Sequence, residues 1–213
     1  MTLTILISGL IAFSNPVNCP DPTLPDDRGR SGWTERETSI ICTPDSTLRV
    51  LTLDSREDSL LLRQTCVDLP EEAIRSEEYG MLASKMIATV TDPSQDGVGI
   101  AGPQVGILRR IVAVQRFDKE GEPFEVYPNI RITVLRGEKE PGREGCLSVP
   151  EGFVPGSEEG HAEVMRYRDI DITYYSLRSG RDTTETVRGF TAVIFQHECD
   201  HLDGKLFIDY LQQ

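Results

Sequence analysis

Apolar positions recur near the helical period across "PEEAIRSEEYGMLASKMIATVTD", Pro70 to Asp92, where Ile74, Met81, Leu82, Ile87 and Val90 fall close to one stripe. Pro70 suits a first helical turn, and Glu71 and Glu72 complement the positive end of the helix dipole. The segment therefore reads as one surface helix packed on a core through that stripe, weakened slightly by Gly80. Downstream the period shortens. "RRIVAVQRF" (Arg109 to Phe117) and "IRITVLR" (Ile130 to Arg136) are β-branched and partly alternating, as strands are. A longer alternation runs from Val164 to Leu177; Ser179–Gly180 punctuates it, and "ETVRG" is placed to pair back as a hairpin. "FTAVIFQHECDHL", Phe190 to Leu202, has the length of a helix and is apolar on most sides before His197, the pattern of a buried helix. Strands flanking two helices without βαβ alternation predict an α+β fold, with antiparallel sheets around a buried central helix. Residues 15–47 show no period and are rich in Pro, Asp and Gly, so they read as irregular. The expected division is an extension over 1–47 and a folded domain over 48–213, with compact structure beginning near Leu48.

Composition adjusts this picture little but excludes several functions. With 22 basic against 35 acidic residues the net charge is −13, which repels phosphate backbones and argues against a nucleic-acid partner. No apolar segment reaches the roughly 20 residues of a membrane-spanning helix. Five cysteines at irregular spacing (Cys19, Cys42, Cys66, Cys146, Cys199) do not form a disulfide framework and fit a reducing, cytoplasmic setting. The apolar run "LTILISGLIAF" offers the alternative of export or a lipid anchor, with Ala12 and Ser14 as a small-x-small cleavage pattern. No Lys or Arg precedes that run, and a signal peptide normally has one there.

The chemistry concentrates in "FQHECDHLDG", Phe195 to Gly204. On a helix His197 and His201 lie on one face, one turn apart, and can offer two imidazole nitrogens to one ion. Glu198 lies one step round the helix and can reach a water on that ion, which is the mechanical content of H-E-x-x-H. The plain alternative is a helix with two incidental histidines. A catalytic zinc-type site takes three protein ligands and leaves a position open. His161 is one candidate for the third, although "GSEEGHAEV" reads as an exposed loop. Cys146 in "GREGCLSVPEG" is the better one, in a short segment able to run extended beside the helix. Cys199 points about 100° away from Glu198 on a helix and is expected to pack.

Three segments together resemble the peptide deformylase family. "GVGIAGPQVG" (Gly97 to Gly106) is similar to its first motif, "EGCLSVP" (Glu144 to Pro150) to its second and "QHECDHLDG" (Gln196 to Gly204) to its third, in the same order and spacing. The similarity covers roughly Asp58 to Tyr210. The resemblance implies Cys146, His197 and His201 as metal ligands, Glu198 as acid/base, and Gln104 with the Leu147 backbone N–H as oxyanion donors. It implies one divalent ion, ferrous iron first, with zinc, nickel or cobalt as substitutes. The implied reaction is hydrolysis of the N-formyl group from the initiator methionine of new polypeptides. The partner is then a formylmethionyl peptide or nascent chain, without nucleic acid or a membrane span.

In "GVGIAG" the glycines, Gly99 among them, are expected to form an extended edge that a peptide backbone approaches closely. Ile100, Phe190, Val193 and Ile194 are candidates for the methionine pocket or for plain core. Glu144, Gln196 and Asp200 are expected to orient the ligands and their helix. The chain departs from the family pattern at Gly102, where alanine is usual, at Cys199, often methionine, and at Phe153, where an arginine often lies. Only nine residues follow Gly204, with Lys205 as their one base, so ribosome docking is not carried over. A zincin-like endopeptidase would need a third ligand after His201, where no histidine follows. A non-catalytic metal-binding paralogue, or an exported one with a different formyl substrate, is the remaining alternative.

Overall fold

The computed structural model describes residues 32–157 and 159–211; the apolar run 3–13, Cys19 and the residues of the irregular stretch before 32 lie outside the described residues. Helix α1 (Glu35–Ile41) is closed at its start by a reciprocal capping box between Thr34 and Glu37. Trp33 and Ile41 are buried in one apolar cluster with Leu48, Leu82, Met86 and Ile100. Part of the stretch expected to be irregular is therefore helical, and among the described residues Trp33 is already buried in the core. The cause is non-local: the Glu37 carboxylate receives Arg109 Nε at 2.5 Å, and the Trp33 indole N–H donates to Ser76 Oγ at 2.9 Å.

After α2 (Arg56–Leu62), the segment expected to be one long helix is two: α3 (Glu71–Ile74) and α4 (Glu77–Val90). Ser76 separates them. Its backbone is extended, its Oγ accepts the Tyr79 N–H as an N-cap, and the same hydroxyl donates to the Ala73 carbonyl. The apolar stripe holds across the break, with Ile74, Leu82, Met86 and Val90 all buried.

Strands β1 (Gly99–Ala101), β2 (Ile111–Gln115) and β3 (Phe124–Pro128) form an antiparallel sheet in that order, which leaves one edge of β1 unpaired within it. Strands β4 (Arg131–Glu144), β5 (Ala162–Ser176) and β6 (Arg181–Arg188) form a second antiparallel sheet. The expected hairpin after Ser179–Gly180 is β5–β6, and β4 runs eight residues past the strand predicted to end at Arg136. Helix α5 (Gly189–Leu202) packs against strands of both sheets. Its Ala192, Ile194, Phe195, Cys199 and Leu202 share a cluster with Val112, Val114, Tyr127, Ile170, Ile172 and Val187. Buried Arg116 ties the sheets together through Asp118, Glu125 and Tyr127 on one side and Glu185 of β6 on the other. The architecture is α+β with antiparallel sheets, as the patterning predicts. Among the described residues no helix is long and apolar enough to cross a membrane.

Candidate active site

Helix α5 is held in place before its histidines are reached. Gln196 accepts the Tyr167 N–H at 3.1 Å and donates to the Tyr167 carbonyl at 2.7 Å, which pins the helix to β5. His197 and His201 then project one turn apart, with ring centroids 5.1 Å apart. Strand β4 ends at Glu144, and two residues later Cys146 Sγ lies 3.2 Å from His201 Nε2. One ligand atom each from Cys146, His197 and His201 fall within 4.8 Å of one another, so the strand end and the helix converge on one point. His161 is outside this group: it lines the mouth of the cavity instead.

The donors are oriented from behind. Glu144 accepts from His197 Nδ1 at 2.9 Å, which leaves Nε2 to face the thiol side. Arg166, 5% exposed, donates to Glu144 at 2.7 Å and to Asp200 at 2.6 Å, and its guanidinium lies 4.6 Å over the Tyr210 ring. Glu144 and Asp200 thus have the orienting positions expected of them, through an arginine the sequence did not single out. Arg166 sits in an alternating strand among other charged residues, and nothing local marks it as the inward one.

Glu198 is 3% exposed, and its Oε2 is buried without a hydrogen-bond partner among the described residues. Burial raises its carboxyl to about 7 against a partial offset from His197. Burial works against charge on both rings. It holds His201 well below the usual histidine range, whereas the Cys146 thiol and the Glu144 carboxylate outweigh it at His197 and raise that ring. Metal affinity must therefore compete with a proton at His197.

Gln104 sits on a 3-10 turn (Gly102–Val105) directly after β1. Its Oε1 accepts the Ala101 N–H at 2.8 Å, and its Nε2 is directed to Ser148 Oγ at 3.2 Å, with Cys146 Sγ 3.6 Å away. A cavity of about 490 Å³ opens in front of these groups. Gly99, Gln104, Leu147, Phe190, Val193 and Ile194 line it. Ile100 does not: strand alternation turns it into the core beside Leu82 and Met86, which corrects its assignment to the pocket.

Two glycines carry constraints the motif alone does not express. A Cβ on Gly99 would lie 2.4 Å from Glu198 Oε1, so only glycine lets the carboxylate come this close to β1. A Cβ on Gly102 would lie 2.6 Å from the Ile107 carbonyl oxygen and 2.8 Å from that of Arg109. Gly102, where the family pattern usually has alanine, is thus required by the backbone here. Cys199 packs as expected, 6% exposed within the α5 cluster.

The donor set fits a divalent transition metal. One thiolate and two imidazoles favour iron, zinc, nickel or cobalt over magnesium or calcium. The orphaned Glu198 oxygen beside them suits a water or substrate atom in the open position.

Comparisons with known proteins agree with this geometry. The family model described as polypeptide deformylase matches residues 49–213. A peptide deformylase of Leptospira biflexa is 34% identical over 161 residues, covering 71% of this chain and 83% of the relative. Among solved structures, a class I type b peptide deformylase from Acinetobacter baumannii with bound Met-Ala-Ser aligns at a TM-score of 0.63 and 31% identity, over 76% of this chain and 98% of that one. The peptide deformylase from Thermotoga maritima aligns at 0.62 and 30%, over 77% of this chain and 97% of that one.

Proposed function

We propose how the residues of this chain, which belongs to the polypeptide deformylase family, carry out that family's reaction. The chain is a metallo-hydrolase that removes the N-formyl group from new polypeptides and releases formate. Cys146, His197 and His201 are assigned as the ligands of one divalent cation, Fe2+ first, with Zn2+, Ni2+ or Co2+ as substitutes. The observation that carries this assignment is the convergence of their three donor atoms within 4.8 Å beside the unpartnered Glu198 oxygen.

When bound, such a cation acidifies a water, from a pKa near 16 in bulk to about 7 in well-tuned sites. Glu198 accepts the proton as the water oxygen adds to the formyl carbon. Its carboxyl, raised to about 7, can both take and return a proton near neutrality. Gln104 Nε2 and the Leu147 N–H donate to the carbonyl oxygen as it becomes negative. Glu198 then passes the proton to the departing amine, the C–N bond breaks, and formate and the free N-terminus leave. Val193, Ile194 and the half-exposed Phe190 form the apolar surface for the methionine side chain, with Phe190 backed by the Phe117 ring at 5.3 Å. Gly99 lets the substrate backbone lie against β1.

The reaction is assigned to residues 48–213, with 1–47 an extension whose Trp33–Ile41 stretch braces the core; the family match from residue 49 supports that boundary. A cytoplasmic setting is supported by the free thiols of Cys66, Cys146 and Cys199. Formate release from a formyl-Met tripeptide by anaerobically prepared protein tests the assignment. Wild type is expected to turn over and Glu198→Gln to fall by orders of magnitude with its metal retained; equal rates would remove Glu198 from the mechanism.

A further inference from the structure

We infer that helix α1 is a clamp on the turn of Gln104, with Ile40 as the positioning residue through which it aims the Gln104 amide. The inference rests on the deformylase reading of the site and extends it to a helix that precedes the family match, which begins at residue 49. Gln104 lies on the 3-10 turn Gly102–Val105, which closes at Gly106 in the left-handed region, at φ 79°. A single 3-10 turn has poor hydrogen-bond geometry and little stiffness of its own. What packs around it therefore decides where it sits. The Gln104 side chain is tied back to the turn's own start, because Oε1 accepts the Ala101 N–H at 2.8 Å. The direction of Nε2 thus follows the turn as a whole.

Both ends of the turn meet groups held by α1. At its close, Ile40 Cδ1 lies 3.3 Å from where a Cβ on Gly106 would stand, and the side chain packs on the cluster that contains Val105 and Ile107. At its start, the Arg109 carbonyl oxygen lies 2.8 Å from the corresponding position on Gly102. The guanidinium of that same arginine is bound by Glu37 of α1, at 2.5 and 2.9 Å, and by the Gly32 carbonyl at 3.1 Å. Between the two ends, the Leu51 N–H donates to the Gln104 carbonyl oxygen at 2.8 Å. Helix α1 is itself anchored on both sides. Trp33 reaches Ser76 before it, and after it Lys85 Nζ of α4 donates to the Thr43 carbonyl at 2.6 Å. A donor to a developing oxyanion works only over a narrow range, about 2.7–3.1 Å, so a clamp on the turn acts on the rate.

The test is Ile40→Ala in the full chain, assayed by formate release from formyl-Met-Ala-Ser. Its kcat is expected to fall roughly three- to tenfold, part of the roughly 10²–10³-fold that loss of a whole oxyanion donor costs. KM and metal per chain should stay within about twofold, because the affected bond forms in the transition state. Ile40→Val should keep most of the rate. Lys85→Met, which frees the end of α1 without touching the turn, should give a smaller loss of the same kind, and it carries the comparison if Ile40→Ala folds poorly. In a Gln104→Ala background either change should cost less than about twofold, since the residue it acts through is gone. The same loss with and without Gln104 would overturn the inference, as would an unchanged kcat. A second readout does not depend on turnover. In zinc-loaded protein the side-chain amide NMR signal of Gln104, identified by its absence from Gln104→Ala, should shift in Ile40→Ala; an unmoved signal would also overturn the clamp. Failure of wild type to release formate would instead strike the deformylase reading, and the amide signal would still decide the clamp.

Discussion

The two walls of the cavity are held by opposite means. The inner wall, α5, is buried along most of its length and anchored at Gln196 and Asp200 to partners on β5 and near the chain's end. The outer wall, residues 145–157 and 159–161, reaches the core through Ser148, Val149 and Val154, but Glu151–Phe153 and the stretch around Ser157 lie at the surface, held by bonds to Ser157 and one surface ion pair. Cys146 belongs to the outer wall by sequence but to the inner one by mechanics. It stands two residues past Glu144, which Arg166 locks to Asp200 of α5. The donors thus share one frame, and the surface stretch of the outer wall can vary without moving them.

Breaking the frame should have the largest effect. Arg166→Met leaves buried Glu144 and partly buried Asp200 without their common partner, and removing one member of such a group costs about 3–5 kcal/mol. Urea unfolding should show that loss, and metal titration a weaker site; an unchanged midpoint would mean the two walls are held independently. Gly99→Ala comes next. The added methyl must displace Glu198, and misplacing a catalytic group by about 1 Å costs roughly a hundredfold in rate. The expected result is that loss in kcat/KM at full metal occupancy; normal turnover would separate Glu198's position from its role. Gly102→Ala presses on two carbonyl oxygens, with an expected destabilisation of about 1–3 kcal/mol.

The smallest effect tests a contact remote from both walls. Burial pushes the Glu37 carboxyl up, but hydrogen bonds from Arg109 and Thr34 outweigh this and hold it below the ordinary carboxylate range. Its folded-state pKa is thus lower than its unfolded one. The stability it contributes is complete above the unfolded value of about 4.3 and is lost as pH falls towards the depressed value. Glu37→Gln should cost about 1–3 kcal/mol at pH 7 and flatten the acid side of the stability profile; an unchanged profile would remove this pair from the ledger.

What the sequence made legible follows from how local each cause is. Helix α5 and the β5–β6 hairpin announce themselves by period, and the thiol and imidazoles by residue type and spacing. The break at Ser76 was hidden because the apolar stripe continues through it and only a half-buried serine hydroxyl marks the turn. Helix α1 carried one local signal, the Thr34-x-x-Glu37 capping box, but the partner that ties Glu37 to the core, Arg109, lies 72 residues away. Strand β3 is short and only partly buried, so it lacks the alternation that revealed its neighbours. Arg166 looked like any charged strand residue until Glu144 and Asp200 were brought to it. Ile100 was misplaced because periodicity identifies an apolar residue without telling which side of an edge strand faces the cavity.

Loading the protein with cobalt asks most directly whether one strand-end sulfur and two helix nitrogens share a single ion. One cobalt per chain with thiolate-to-cobalt charge-transfer absorption is expected in wild type, and Cys146→Ser should abolish that absorption while His197 and His201 remain. Charge transfer that survives the substitution, or its absence from fully loaded wild type, would contradict the site.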